Sequence, residues 1–65
     1  MENVRLKGKL REKKITYEDC SKILNISVTA FANKINRNSF YITEVIDLSN
    51  FLGLTNEEKN KIFLE

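Results

Sequence analysis

Val28, Thr29, Ala32 and Asn33 bring together a hydroxyl, an amide and two small apolar groups within six residues of chain. If residues 28–36 are helical, residues three and four apart share a surface, and these four make one that is short, uncharged and small. An ordinary solvated helix face carries Lys and Glu instead. The chemistry open to such a face is the reading of base edges in a DNA major groove. An asparagine pairs bidentately with adenine, a threonine hydroxyl serves several bases, and a valine or alanine methyl packs on the thymine methyl, so the face leans towards A·T pairs. Tyr17, Ser27, Lys34, Arg37 and Asn38 flank it with hydroxyl, amide and cationic groups of the kind that hold phosphate oxygens. Plainer roles stand beside these. The spacing of Val28 from Phe31 and Ile35 allows it to be buried, Ser27 has a claim as a helix cap, Tyr17 as a half-buried aromatic, and Lys34, Arg37 and Asn38 as solvated surface.

Other chemistries find little to work with. The chain has no histidine and one cysteine, which argues against a zinc site and forbids an internal disulfide. Cys20 lies on an apolar stripe without a neighbouring base to activate it and reads as a small core residue. There is no glycine-rich phosphate loop, and the acidic pairs Glu18-Asp19 and Glu57-Glu58 fall in helix first turns, where the backbone dipole accounts for them. The expectation is a non-enzymatic protein without cofactor or metal.

The elements that position the 28–36 face carry their own start and stop signals. Thr16 caps a helix opening at about Tyr17, with Asp19 as the acidic partner of a capping box. Cys20, Ile23 and Leu24 form its predicted apolar stripe, and Asn25 tolerates the left-handed backbone that ends it. Ile26 plugs the gap between two helices, and Ser27 caps the next, whose Phe31 and Ile35 face the core. Before this pair, residues 4–13 read as a helix with Leu6 and Leu10 inward; Gly8 costs it roughly 1 kcal/mol against alanine and suggests close approach of another helix. Lys13-Lys14 suit its C-terminal dipole. After the pair, Arg37-Asn38-Ser39 connects, Phe40, Tyr41 and Ile42 anchor, and Thr43 caps a fourth helix running to about Leu52 with Val45, Leu48, Ser49 and Leu52 inward and Gly53 as its stop. Thr55 and Glu58 form a second capping box, opening a fifth helix through NEEKNKIF.

With those residues in place, Thr16 to Asn36 resembles the helix-turn-helix of the Cro/cI repressor superfamily, the XRE-type regulators, in the small form common in phages and mobile elements of low-GC Gram-positive bacteria. The resemblance covers about residues 4–55. It rests on the joint spacing of Ile15-Thr16, Leu24, Ile26-Ser27, Phe31, Lys34, Ile35 and Asn36; Tyr17 stands where the family commonly has Gln, and Asn25 where it commonly has Gly. It implies an all-α fold, a compact bundle of about five short helices like the lambda repressor DNA-binding domain. The implied activity is transcription regulation by a dimer on a roughly palindromic double-stranded DNA operator, with the 28–36 helix in the major groove.

Length and charge fit that expectation. Sixty-five residues support one domain, 1–65, whose small core favours association with a second copy. No proline and only two glycines favour helices over turn-rich sheets. Net charge is only +2, but residues 1–14 carry six basic and two acidic groups, whereas residues 42–65 carry two basic and five acidic. The N-terminal part is the one suited to phosphate, and the acidic end to another protein or to a scaffold role. Ile46 and Phe51 lie off the inner stripe of the fourth helix, and one core does not easily use them along with Phe63 and Leu64. Either the fifth helix folds back and covers Ile46 and Phe51, or they form with Phe63 and Leu64 a homodimer or partner surface, as in a protein-binding module or antirepressor. The absence of an apolar run or a signal-peptide pattern points to a cytoplasmic protein with no membrane attachment, and nothing indicates a small-molecule ligand.

Overall fold

Each of the first four helices stops in the same way, and those stops set the lengths of the elements. In the computed structural model, which describes residues 1–64, α1 spans Val4–Lys13, α2 Tyr17–Leu24, α3 Val28–Arg37 and α4 Ile42–Leu52. Lys14, Asn25, Asn38 and Gly53 follow them with φ of 57°, 57°, 52° and 67°. In every case the amide of the left-handed residue and the next amide reach back to carbonyls of the last turn, as in Ile26 N to Ser21 O at 3.0 Å and Leu54 N to Ser49 O at 2.9 Å. This is the Schellman arrangement, which satisfies carbonyls that a helix end otherwise leaves free. Ile15, Ile26 and Leu54, just beyond three of the stops, pack on the core. A fifth helix, α5, spans Asn56–Lys59 and continues without a break as a π-helical segment, Asn60–Leu64. The described residues contain no strand, and no helix among them is long and apolar enough to cross a membrane.

The starts match the capping signals at three of four places, Thr16, Ser27 and Thr55. Thr16 Oγ1 accepts from Asp19 N and Asp19 returns the bond to Thr16 N, both at 3.1 Å. Thr55 and Glu58 do the same at 3.1 and 3.0 Å. The fourth helix departs from expectation: it opens at Ile42, not after Thr43, because Glu44 accepts the Tyr41 amide at 2.8 Å and so stabilises an earlier turn. Glu58 also receives Lys9 Nζ at 3.0 Å. Bonds from Thr55 and then Lys9 draw its carboxyl down to about 2 from an ordinary 4.5; the Thr16 amide and hydroxyl lower Asp19 likewise. A carboxyl lowered on folding stabilises the fold above its unfolded value and loses that contribution as it protonates. Thermal unfolding midpoints are therefore expected to fall between pH about 5 and about 2, and circular dichroism melts across that window check it.

Leu6, Leu10, Cys20, Phe31, Ile35, Leu48, Leu52 and Ile62 form one core contributed by α1–α4 and the C-terminal segment. An aromatic chain threads it: Tyr17 to Phe31 at 5.1 Å edge-on, Phe31 to Phe40 at 5.8 Å, and Phe40 to Phe63 at 5.7 Å edge-on. Burial pushes the Cys20 thiol up to about 11, so it is held as the neutral thiol.

Three expectations about packing change here. Ile23 is outside the stripe of α2, 41% exposed, because the buried line is Tyr17, Cys20, Ser21 and Leu24; Ser21 fits there since its hydroxyl donates to Glu18 O at 2.8 Å. Of the Phe40-Tyr41-Ile42 anchor only Phe40 is anchored, with Tyr41 and Ile42 projecting outward. Gly8 admits no neighbouring helix, since a Cβ built there meets nothing within 4 Å. Gly8→Ala is accordingly expected to stabilise the fold by about 0.5–1 kcal/mol through helix propensity, read as a higher urea midpoint.

Candidate nucleic-acid interface

The geometry of α2 and α3 follows from their two ends. The turn between them, residues 25–27, is closed by the left-handed Asn25 on one side and by Ser27 on the other, whose Oγ accepts Ala30 N at 3.0 Å. Ile26 sits half-buried between, against the core, as its plugging role requires. With Phe31 and Ile35 fully buried, the helical phase of α3 is set, and the opposite face must point outward. Val28, Thr29 and Asn33 are exposed and Ala32 is half-buried. Val28, whose spacing allowed burial, is 44% exposed and remains part of the face. The four residues thus form one outward surface without a formal charge, on a helix whose inward side is locked by two large core residues.

The flanking groups divide. Arg37 is exposed at the end of α3 and Ser27 is exposed at its start, with its hydroxyl already accepting the capping bond. Tyr17 is half-buried with its ring edge against Phe31, the plainer of its two readings, at the opening turn of α2. Lys34, expected to hold phosphate, is engaged within the chain. The Lys34 ammonium lies 3.2 Å from Glu44 and 4.5 Å from the centre of the Tyr41 ring, fastening the end of α3 to the start of α4. Both partners are largely covered, at 19% and 13% side-chain exposure, so transferring Lys34 to a phosphate would leave Glu44 partly desolvated and unpaired. Asn38 Oδ1 accepts Asn3 Nδ2 at 2.9 Å.

The proposed partner surface is likewise divided. Ile46 and Phe51 are 45% and 40% exposed, so the C-terminal segment does not fold over them. Five residues apart on α4, they point about 140° away from each other and cannot serve one flat contact. Phe63 is half-buried against Phe40 and belongs to the core, whereas Leu64 is exposed. The exposed apolar residue nearest in phase to Ile46 is Ile42, one turn earlier.

Asn3 is the structural residue that sequence reasoning missed. It caps α1, its Oδ1 accepting Leu6 N at 2.9 Å, and its Nδ2 donates to Asn38 Oδ1 and to Ile62 O, both at 2.9 Å. Its own amide donates to Ile35 O at 2.9 Å. An asparagine immediately ahead of a helix was a readable cap signal; its second role joins three segments distant in sequence.

Two clefts, of about 330 and about 310 Å³, are lined mainly by α1, the residues before it and the C-terminal segment, with Asn38 also at the first. Val28, Thr29, Ala32 and Asn33 line neither. Comparisons with protein-family models, with curated proteins and with solved structures found no match to this chain.

Proposed function

We propose that the protein is a sequence-specific double-stranded DNA-binding transcription regulator whose α2 and α3 act as a helix-turn-helix, with α3 in the major groove. The observation that carries this reading is the outward face of α3: Val28, Thr29 and Asn33 exposed, Ala32 beside them, no formal charge, and the helix fixed behind them by Phe31 and Ile35. Asn33 and Thr29 read bases, with Val28 and Ala32 against thymine methyls. Arg37, Ser27 and the Tyr17 hydroxyl supply phosphate contacts, while Lys34 and Asn38 act by holding the end of α3 in place. A pair of such domains would set two recognition helices about one helical turn apart on a palindromic site.

Selection of binding sites from a random duplex pool by the purified protein tests this. Recovery of a palindrome supports the reading, and its half-site spacing reports the dimer geometry; no enrichment by folded protein rejects it. Asn33→Ala is expected to weaken binding to a selected site by about 1–3 kcal/mol with little change on random duplex, measured by fluorescence anisotropy. Equal losses on both would remove Asn33 from the base-reading set.

A second reading, a protein-binding module or antirepressor, is favoured by the exposed Tyr41, Ile42 and Ile46 around the start of α4. It predicts a folded protein with no salt-dependent affinity for duplex DNA.

A further inference from the structure

Leu6 and Leu10 define the buried line of α1, and Lys7 and Lys9 lie on its two flanks, each about 80° from that line. Lys9 identifies one flank: its ammonium is 3.0 Å from Glu58, so that side faces α5. Lys7 is therefore on the other flank, away from α5. The amide of Asn3, at the start of α1, donates to Ile35 near the end of α3, so α1 begins beside the helix proposed to enter the groove.

Lys7 is not bare there. Its Nζ donates to Glu2 Oε2 at 2.7 Å, the bond that chiefly raises the lysine and lowers the glutamate. Glu2 is presented by its neighbour Asn3, whose amide and side chain are bonded to Ile35, Leu6, Asn38 and Ile62. A carboxylate oxygen on an ammonium offers the same charge-assisted bond as a phosphate oxygen. The glutamate is the more exposed partner, 52% against 27%, so it can swing into water while the lysine stays put. An exposed pair of this kind contributes little to stability and is cheaply exchanged.

We propose that Lys7 grips a DNA phosphate and that Glu2 is an internal stand-in for that phosphate, occupying the ammonium until DNA displaces it. This rests on the DNA-binding reading and extends it with a backbone contact by Lys7 that Glu2 limits on any duplex, leaving sequence preference to α3. Because the contact is to backbone, its loss acts on all sequences alike.

The test is a double-mutant cycle on the full chain with Glu2→Gln, Lys7→Gln and the pair. Each variant is confirmed folded by circular dichroism and titrated against a random-sequence duplex, and a selected one where recovered, over a range of salt. Lys7→Gln is expected to weaken binding several-fold on every duplex and to reduce the salt slope by about 1, with Lys7→Arg retaining the wild-type slope. Glu2→Gln is expected to tighten binding several-fold when Lys7 is present and far less when it is Gln. Equal tightening in both backgrounds would make Glu2 a general charge effect and overturn the proposal, as would an unchanged slope in Lys7→Gln. In either case a wild-type protein that still binds DNA leaves the function standing. A wild-type protein that binds neither duplex removes the function and this proposal together.

Discussion

Phe31→Ala is expected to remove a third or more of the protein's total stability. The side chain is fully buried and lies in the aromatic chain between Tyr17 of α2 and Phe40 of the connector, which in turn touches Phe63. Truncating a buried phenylalanine costs about 3–5 kcal/mol, the transfer term plus the cavity it leaves. A chain of 65 residues has a total stability of roughly 3–10 kcal/mol at typical values per residue. The loss therefore consumes a third of the total at best and all of it at worst. The collapse that would otherwise limit the cavity is hindered, because the neighbours are rigid rings held by three different segments. Urea unfolding followed by circular dichroism measures it; a loss below about 1 kcal/mol would mean that the aromatic chain repacks and is not the centre of the fold. The same variant serves as a negative control for DNA binding, since it releases the phase of α3 without touching its outward face.

Asn3→Ala is the second large effect, expected to cost about 2–4 kcal/mol although the change is three atoms beside the chain end. Loss of the α1 cap accounts for about 1 kcal/mol of this. The remainder comes from the Ile62 carbonyl and Asn38 Oδ1, which lose the donor that satisfies them in a site where Asn3 is 5% exposed. Asn3→Asp separates the two roles. Asparagine and aspartate are nearly equivalent as ordinary N-caps, but an ionised carboxylate cannot donate and would face two acceptor oxygens at 2.9 Å. Its stability is expected to fall with Asn3→Ala, not to match wild type. A wild-type urea midpoint for Asn3→Asp would show that the amide nitrogen contributes nothing and that the residue is only a cap.

The local elements of this chain were legible in its sequence because their signals are local. Thr16 with Asp19, Thr55 with Glu58, Ser27, Asn25 and Gly53 each act on backbone groups within five residues, so their chemistry reads directly from spacing, and the structure has a helix start or stop at each. Phe31 and Ile35 fixed the phase of α3 by the same local rule, which is why its outward face could be named in advance. Other assignments depended on what lies across the fold. Lys34 has an ammonium suited to phosphate, yet Glu44 and Tyr41 reach it first, and no pattern around residue 34 announces those partners. Phe63 is an apolar residue near the chain end that a dimer would use as readily as a core; Phe40, 23 residues away, decides it. Ile23 and Ser21 exchanged the places that hydrophobicity alone assigns, because a serine that satisfies its own hydroxyl within the helix can be buried at small volume. The helix caps and stops at Thr16, Asn25, Ser27, Gly53 and Thr55 and the phase of α3, then, were determined by the sequence alone, since their energies are set between near neighbours; which polar and aromatic groups remain available to a partner was decided only by tertiary structure, since that depends on contacts between segments whose separation no local pattern encodes.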